Sequence, residues 1–199
     1  MNIFATSDNP QKCAQVLDDS RVIKMILESA QLLSGAIRVL VRDGVIHNHI
    51  AKEACEKDLI YKLTHEHHPC SVWARSNREN YSWLLNHLYH LSHEYTVRRF
   101  KSTTHKSALL LPPLEFLGRF IPNNGPLTPF PCCVDGEVLT YLSNGDTHEA
   151  YKLHLIKKWD NDKREPRWFR AGGRDSECAI DSSSPTWYKQ HILAKRKGE

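Results

Sequence analysis

LDDSRVIKMILESAQLLSGAIRVLVRDG, residues 17–44, is the stretch on which the reading of the chain turns. Val22, Met25, Ile26, Ser29, Leu33, Ala36 and Leu40 recur at helical spacing, so at about 100° per residue they form one buried stripe. Asp18 or Asp19 supplies the helix start and Gly44 the stop. Arg21, Lys24 and Glu28 fall beside the stripe, within about 60° of one another by the same geometry. A carboxylate is thus held between two cations at the margin of the core. Such a triplet is either a solvated face stitched by ion pairs at three- and four-residue spacing, or a reactive carboxylate flanked by anion-binding groups.

Upstream, MNIFATSDNP is a short apolar segment followed by turn residues, and Asn9-Pro10 starts a brief helix through Val16. The amino terminus is therefore expected close to the long helix. Downstream, residues 50–63 carry Ala54, Leu59, Ile60 and Leu63 at approximately helical spacing. A second long helix is expected from Pro69, with Cys70 or Ser71 at its start and Trp73, Tyr81, Leu84, Leu88, Leu91 and Tyr95 on its apolar face. The stretch after it is basic, with Arg98, Arg99, Lys101 and Lys106, and His105 among them. Cations there complement a helix dipole or bind phosphate.

Prolines at 112, 113, 122, 126, 129 and 131 interrupt residues 108–145, which read as packed loops with a helical turn or two. Asp146 or Thr147 caps a helix that turns Tyr151, Leu155 and Ile156 inward. A Gly/Ser-rich stretch, expected to be mobile, precedes the basic-aromatic tail TWYKQHILAKRKGE. There is no internal repeat and no strand system. The expectation is a mainly α fold, a compact bundle of four or five helices with long Pro-rich loops. Residues 1–170 make a single helical domain, and 171–199 a mobile linker and tail.

At 199 residues one hydrophobic core suffices, and no apolar run approaches the length of a membrane span. The opening residues lack a secretory signal, so a cytoplasmic protein is expected, and a monomer. Cys13, Cys55, Cys70, Cys132, Cys133 and Cys178 lack paired spacing and read as free thiols. The net charge of +4 is mild, but Lys and Arg concentrate in residues 152–174 and 189–197, which favours a polyanionic partner. His65, His67, His68 and Cys70 are zinc-ligand types, yet the only other close pair is the adjacent Cys132-Cys133, a poor spacing. No metal and no cofactor are expected. GxGxxG, Walker and GxSxG patterns are absent. Trp187, Tyr188 and Lys189, followed by Lys195, Arg196 and Lys197, suit a nucleobase and its phosphates, or else the aromatics pack back on the core.

Leu17-Asp18, Val22-Ile23 and Glu28, followed by Ala30-Gln31-Leu32-Leu33, resemble the first long helix of pyrimidine-dimer DNA glycosylases of the endonuclease V type, small phage and bacterial repair enzymes. His68-Pro69, then Tyr81 to Leu84, Glu94, Arg98 and Lys106, are similar to that family's second long helix, and Pro185-Thr186-Trp187-Tyr188-Lys189 to the aromatic-basic terminus of the phage enzyme. The resemblance covers roughly the first 107 residues plus the tail. It implies that an N-terminal α-amine attacks C1′ of the damaged nucleotide, forms an imine, and nicks the strand by β-elimination. An α-amine titrates well below a lysine, so more of it is a free nucleophile at neutral pH. Where the phage enzyme exposes a threonine, this chain has Met1 before Asn2, and the amine of Met1 takes that role.

The resemblance further implies that Glu28 assists proton transfer and stabilises the cationic intermediate while Arg21 and Lys24 hold flanking phosphates. Asn2, His68, Arg75, Arg98, Arg99, His105, Lys106, Trp187, Tyr188 and Lys189 become the expected contacts to double-stranded DNA. Two other readings use the same residues: a phage enzyme that modifies a flipped thymine derivative, and a helical DNA-binding protein whose cations only neutralise phosphates.

Overall fold

Asp18 begins the central helix, its carboxylate accepting from the backbone N–H groups of Ser20 and Arg21. The computed structural model describes residues 1–99, 104–140, 145–169 and 184–198, apart from the side chains of Arg99 and Thr140. Within them α1 spans Pro10–Val16, α2 Asp19–Arg42 and α3 His49–Glu56. Next come α4 over Pro69–Ser76, α5 over Arg78–Arg99, a 3₁₀ turn over Lys106–Leu110, and α6 over Leu111–Gly118. The last helices are α7, Gly136–Thr140, α8, Thr147–Asn161, and α9, Thr186–Lys197. No strand occurs among the described residues. The fold is mainly α, as the periodicity implies.

The whole predicted stripe of α2 is buried, and so are Ala30, Leu32, Ser34, Gly35, Ile37 and Val39. The helix is enclosed on more than one side because α3, α4, α5 and α6 all pack on it. Each large apolar side chain fully removed from water there contributes about 1.5–3 kcal/mol. The helix ends at Gly44, whose φ of +67° is a left-handed conformation that glycine adopts without a Cβ clash.

The second long helix is broken in two. Asn77, between α4 and α5, is extended at φ −156° and ψ 148°. Its side chain donates to the carbonyls of Gly125 and Pro126 and accepts from the N–H of Asn124, so tertiary bonds to the Pro-rich loop hold the break. The helix expected over 50–63 stops at Glu56, because Asp58 takes a left-handed φ of +52°. Leu59 is then exposed while Ile60 stays in the core.

Residues 1–9 thread between α5 and α8. Trp83 Nε1 donates to the Asp8 carbonyl at 2.6 Å, and His148 Nδ1 contacts the Ala5 carbonyl at 2.6 Å. The carboxyl-terminal tail is helical and docked rather than loose. Trp187 stacks on Trp159 at 5.4 Å and 17°, and buried Tyr188 meets Trp159 edge-on at 4.8 Å. Most of the Gly/Ser-rich stretch expected to be mobile, and Cys178, lie outside the described residues.

Candidate active site

The amino-terminal segment meets Glu28 through Asn2. Asn2 N–H donates to Glu28 Oε2 at 3.1 Å, and Asn2 Oδ1 accepts from the N–H groups of Ile3 and Phe4 at 2.8 and 3.0 Å. Asn2 Nδ2 donates to the Cys133 carbonyl at 2.8 Å. Ile3 and Ala5 are completely buried, so the terminus is anchored rather than frayed. Phe4 takes a positive φ of +43°, a strained value for a non-glycine residue. Its ring is held between Tyr151 at 6.2 Å and His154 at 6.1 Å, which over-determines the turn. The result is a terminal amine held one residue from a half-buried carboxylate.

Lys24 Nζ lies 3.4 Å from Glu28 Oε1 and is 70% exposed, so one cation of the predicted triplet faces solvent beside the carboxylate. Arg21 does not. Its guanidinium is paired with Asp18 at 2.9 Å and Asp162 at 2.8 Å, and lies 6.0 Å over the Trp159 ring. Burial works to lower the Arg21 pKa, but the bond it donates to Asp162 and the Asp18 charge outweigh it and hold it raised. Burial works to raise the Asp18 carboxyl; Arg21 and hydrogen bonds from Ser20 and Trp159 keep it below its ordinary range. Arg21 therefore braces α2 against the end of α8, its charge shared with Asp18 and Asp162 rather than with Glu28.

His68 caps α4, its Nδ1 accepting from Cys70 N–H at 3.2 Å. Burial lowers its pKa, and the nearby Met1 amine lowers it further. Cys70 Sγ donates to Cys133 Sγ at 3.6 Å, which with burial pushes the Cys70 thiol up and draws Cys133 down to about 7. One ligand atom from each of His68, Cys70 and Cys133 lies within 4.8 Å of the others. The spacing argument paired Cys133 with Cys132 and missed this, since a contact across 63 positions leaves no trace in local sequence.

The remaining expected contacts are dispersed. Arg98 is 2% exposed and spent on structure, bonding Glu94 at 2.8 Å and the carbonyls of Leu17 and Gln15 at 2.6 and 2.9 Å. Desolvation and saturated donors remove it from phosphate binding. Arg75 donates to the Glu66 carbonyl at 2.8 Å, and His105 caps the 3₁₀ turn by accepting from Ser107 N–H at 3.2 Å. Lys106 is exposed, whereas the Arg99 side chain lies outside the described residues. Buried Tyr188 packs on Trp159 and Trp168, which corrects its reading as a base-stacking platform. Trp187 is partly covered by Trp159, and Lys189 is half-buried on the same helix.

A cleft of about 520 Å³, lined by Phe4, by Arg21, Lys24, Lys157 and Lys158 and by the carboxylates of Asp135 and Asp162, reaches this cluster through Lys24. Its volume fits a small ligand or a single nucleotide. A larger cleft of about 1090 Å³ runs along Asp18, Ile23 and residues 162–167 and lacks both Met1 and Glu28.

The described residues form an all-α scaffold in which the backbone of Asn2 is bonded to the Glu28 carboxylate on α2. The family model described as pyrimidine dimer DNA glycosylase matches residues 1–108, more than half of the chain, and the chain belongs to that family. Its members act on DNA as glycosylases. No curated protein and no solved structure matches the chain. Residues 109–199 lie beyond the family match, yet Cys133, Tyr151 and His154 from that part reach the terminus.

Proposed function

We propose that this chain is a DNA glycosylase with AP-lyase activity that acts on damaged pyrimidines in duplex DNA through an imine on the Met1 amine. The observation that carries the reading is the 3.1 Å bond from Asn2 N–H to Glu28, which sets the terminal amine beside the carboxylate. The amine nitrogen attacks C1′, the bond from C1′ to the base breaks, and the base leaves with the electron pair and takes up a proton. Glu28 takes a proton from nitrogen and passes it to the ring oxygen as the bond from C1′ to that oxygen opens, which gives the protonated imine and a C4′ hydroxyl. Removal of a C2′ proton then expels the 3′ phosphate and nicks the strand. Glu28 accepts and returns protons and offsets the positive charge of the imine, and Lys24 meets a flanking phosphate. The damaged nucleotide leaves the stack to reach the amine, at a cost of a few kcal/mol that damage lowers.

The test is borohydride trapping on duplex DNA that contains an abasic site, with the native amino terminus, followed by mass spectrometry of the adduct. A covalent product on Met1 is expected. DNA binding without any adduct would sink the lyase mechanism and leave base modification or simple binding.

A further inference from the structure

The geometry points to a soft-metal site, zinc in the first instance, formed by His68, Cys70 and Cys133 beside the amino terminus. The two sulfurs are 3.6 Å apart, close to the roughly 3.8 Å edge of a tetrahedron with zinc–sulfur bonds of about 2.3 Å. One ligand atom from each of the three residues lies within 4.8 Å of the others. Nδ1 of His68 accepts from Cys70 N–H as the α4 cap, so a metal ion taken by this ring replaces either that bond at Nδ1 or the proton at Nε2.

The frame around the ligands is already fixed. His68 and Cys70 open α4 as its cap and an early helical residue, which sets their spacing. Cys133 is clamped from both sides: its carbonyl accepts from Asn2 Nδ2 at 2.8 Å, and its N–H donates to Tyr151 Oη at 3.2 Å. Tyr151 is in turn held by donating to the Pro131 carbonyl at 2.5 Å. Side chains of this kind, bonded around a ligand set, orient first ligands in metal proteins. Imidazole and two thiolates select zinc, cobalt(II) or copper(I) over hard cations, and three protein ligands leave a fourth position open. His68 and Cys70 lie within the family-matching residues and Cys133 outside them, so the set of three is completed by the part of the chain beyond the match. It rests on the ligand geometry and not on the glycosylase reading.

The experiment uses the full-length, reduced, metal-free protein and titrates it with cobalt(II). A thiolate-to-cobalt charge-transfer band that saturates at one equivalent and is displaced by zinc is expected. Cys133→Ser, a half-buried loop position, should weaken cobalt binding by at least about 100-fold, and His68→Ala should weaken it too, with far-UV circular dichroism unchanged. Cys132→Ser should leave the band intact. No band, a band that survives Cys133→Ser, or a Cys70–Cys133 disulfide in protein whose reduced form takes up no cobalt would overturn the site.

Discussion

Asn2 and Glu28 are joined by a backbone-to-carboxylate hydrogen bond of 3.1 Å across 26 positions of the chain. The bond ties Asn2 to α2, and Ile3 and Ala5 beyond it are fully buried. Glu28 thus has one oxygen facing Asn2 and the other facing Lys24. Position and charge are set by different partners, which makes them separable by mutation.

Glu28→Gln retains an oxygen acceptor for Asn2 N–H but no longer accepts a proton. Strand cleavage is expected to fall by about 10²- to 10⁴-fold, the usual worth of a general acid–base group. Binding to abasic duplex, read by fluorescence anisotropy, should stay the same or tighten. A variant that keeps wild-type turnover would show the carboxylate to be a tether only.

Lys24 and Arg98 should behave oppositely although both are cations on long helices. Lys24→Ala removes an exposed charge, so the salt dependence of DNA binding should lose about one phosphate contact while stability moves by no more than about 0.5 kcal/mol. Arg98→Met removes the guanidinium that bonds Glu94 and the carbonyls of Gln15 and Leu17 in a buried setting. Its urea midpoint should drop by the equivalent of about 3–5 kcal/mol, with the salt slope of binding unchanged in the folded fraction.

Gly118→Ala tests the seam between α5 and α6. A Cβ at Gly118 would lie 2.5 Å from Cε1 of Tyr81, whose ring is buried and whose hydroxyl donates to the Leu114 carbonyl at 3.0 Å. Relief of the clash requires the ring or the helix to move. A loss of about 1–3 kcal/mol in thermal or urea unfolding is expected from overpacking; unchanged stability would mean that the helices slide apart freely.

Acid should weaken the fold through His87. Burial pushes it from 6.5 to about 4; its Nδ1 contacts the Pro10 carbonyl at 3.1 Å, and its Nε2 is buried without a partner among the described residues. Between pH 6.5 and about 4 the unfolded chain binds a proton that the native state refuses, so stability rises with pH across that window and is lost on acidification. The loss reaches about 3 kcal/mol at full shift. His87→Gln should flatten the slope of unfolding free energy against pH, in part only, because burial and Lys158 also lower His154 to about 4.

The apolar stripe of α2, its Asp18 cap, its Gly44 stop and the Asn9 and Asp146 caps were legible in sequence, because each depends on side chains within a few positions of one another. Breaks in the helices were not. Asn77 has ordinary helical neighbours and is pulled straight by the loop at 124–126, and local periodicity cannot register such a bond.

The amino terminus and Glu28 could be paired from the order of motifs, but charge alone did not tell a brace from a binding group. Arg21, Lys24 and Arg98 are the same kind of residue on a helical wheel, and only the partners brought by distant segments divide them. The sequence by itself determined the helices and the neighbourhood of the terminus, since 3.6-residue periodicity and capping act over one or two turns. Tertiary structure alone decided which cations are spent, that Tyr188 is core, and that Cys133 joins His68 and Cys70, because desolvation and ligand geometry arise only when segments far apart in the chain meet.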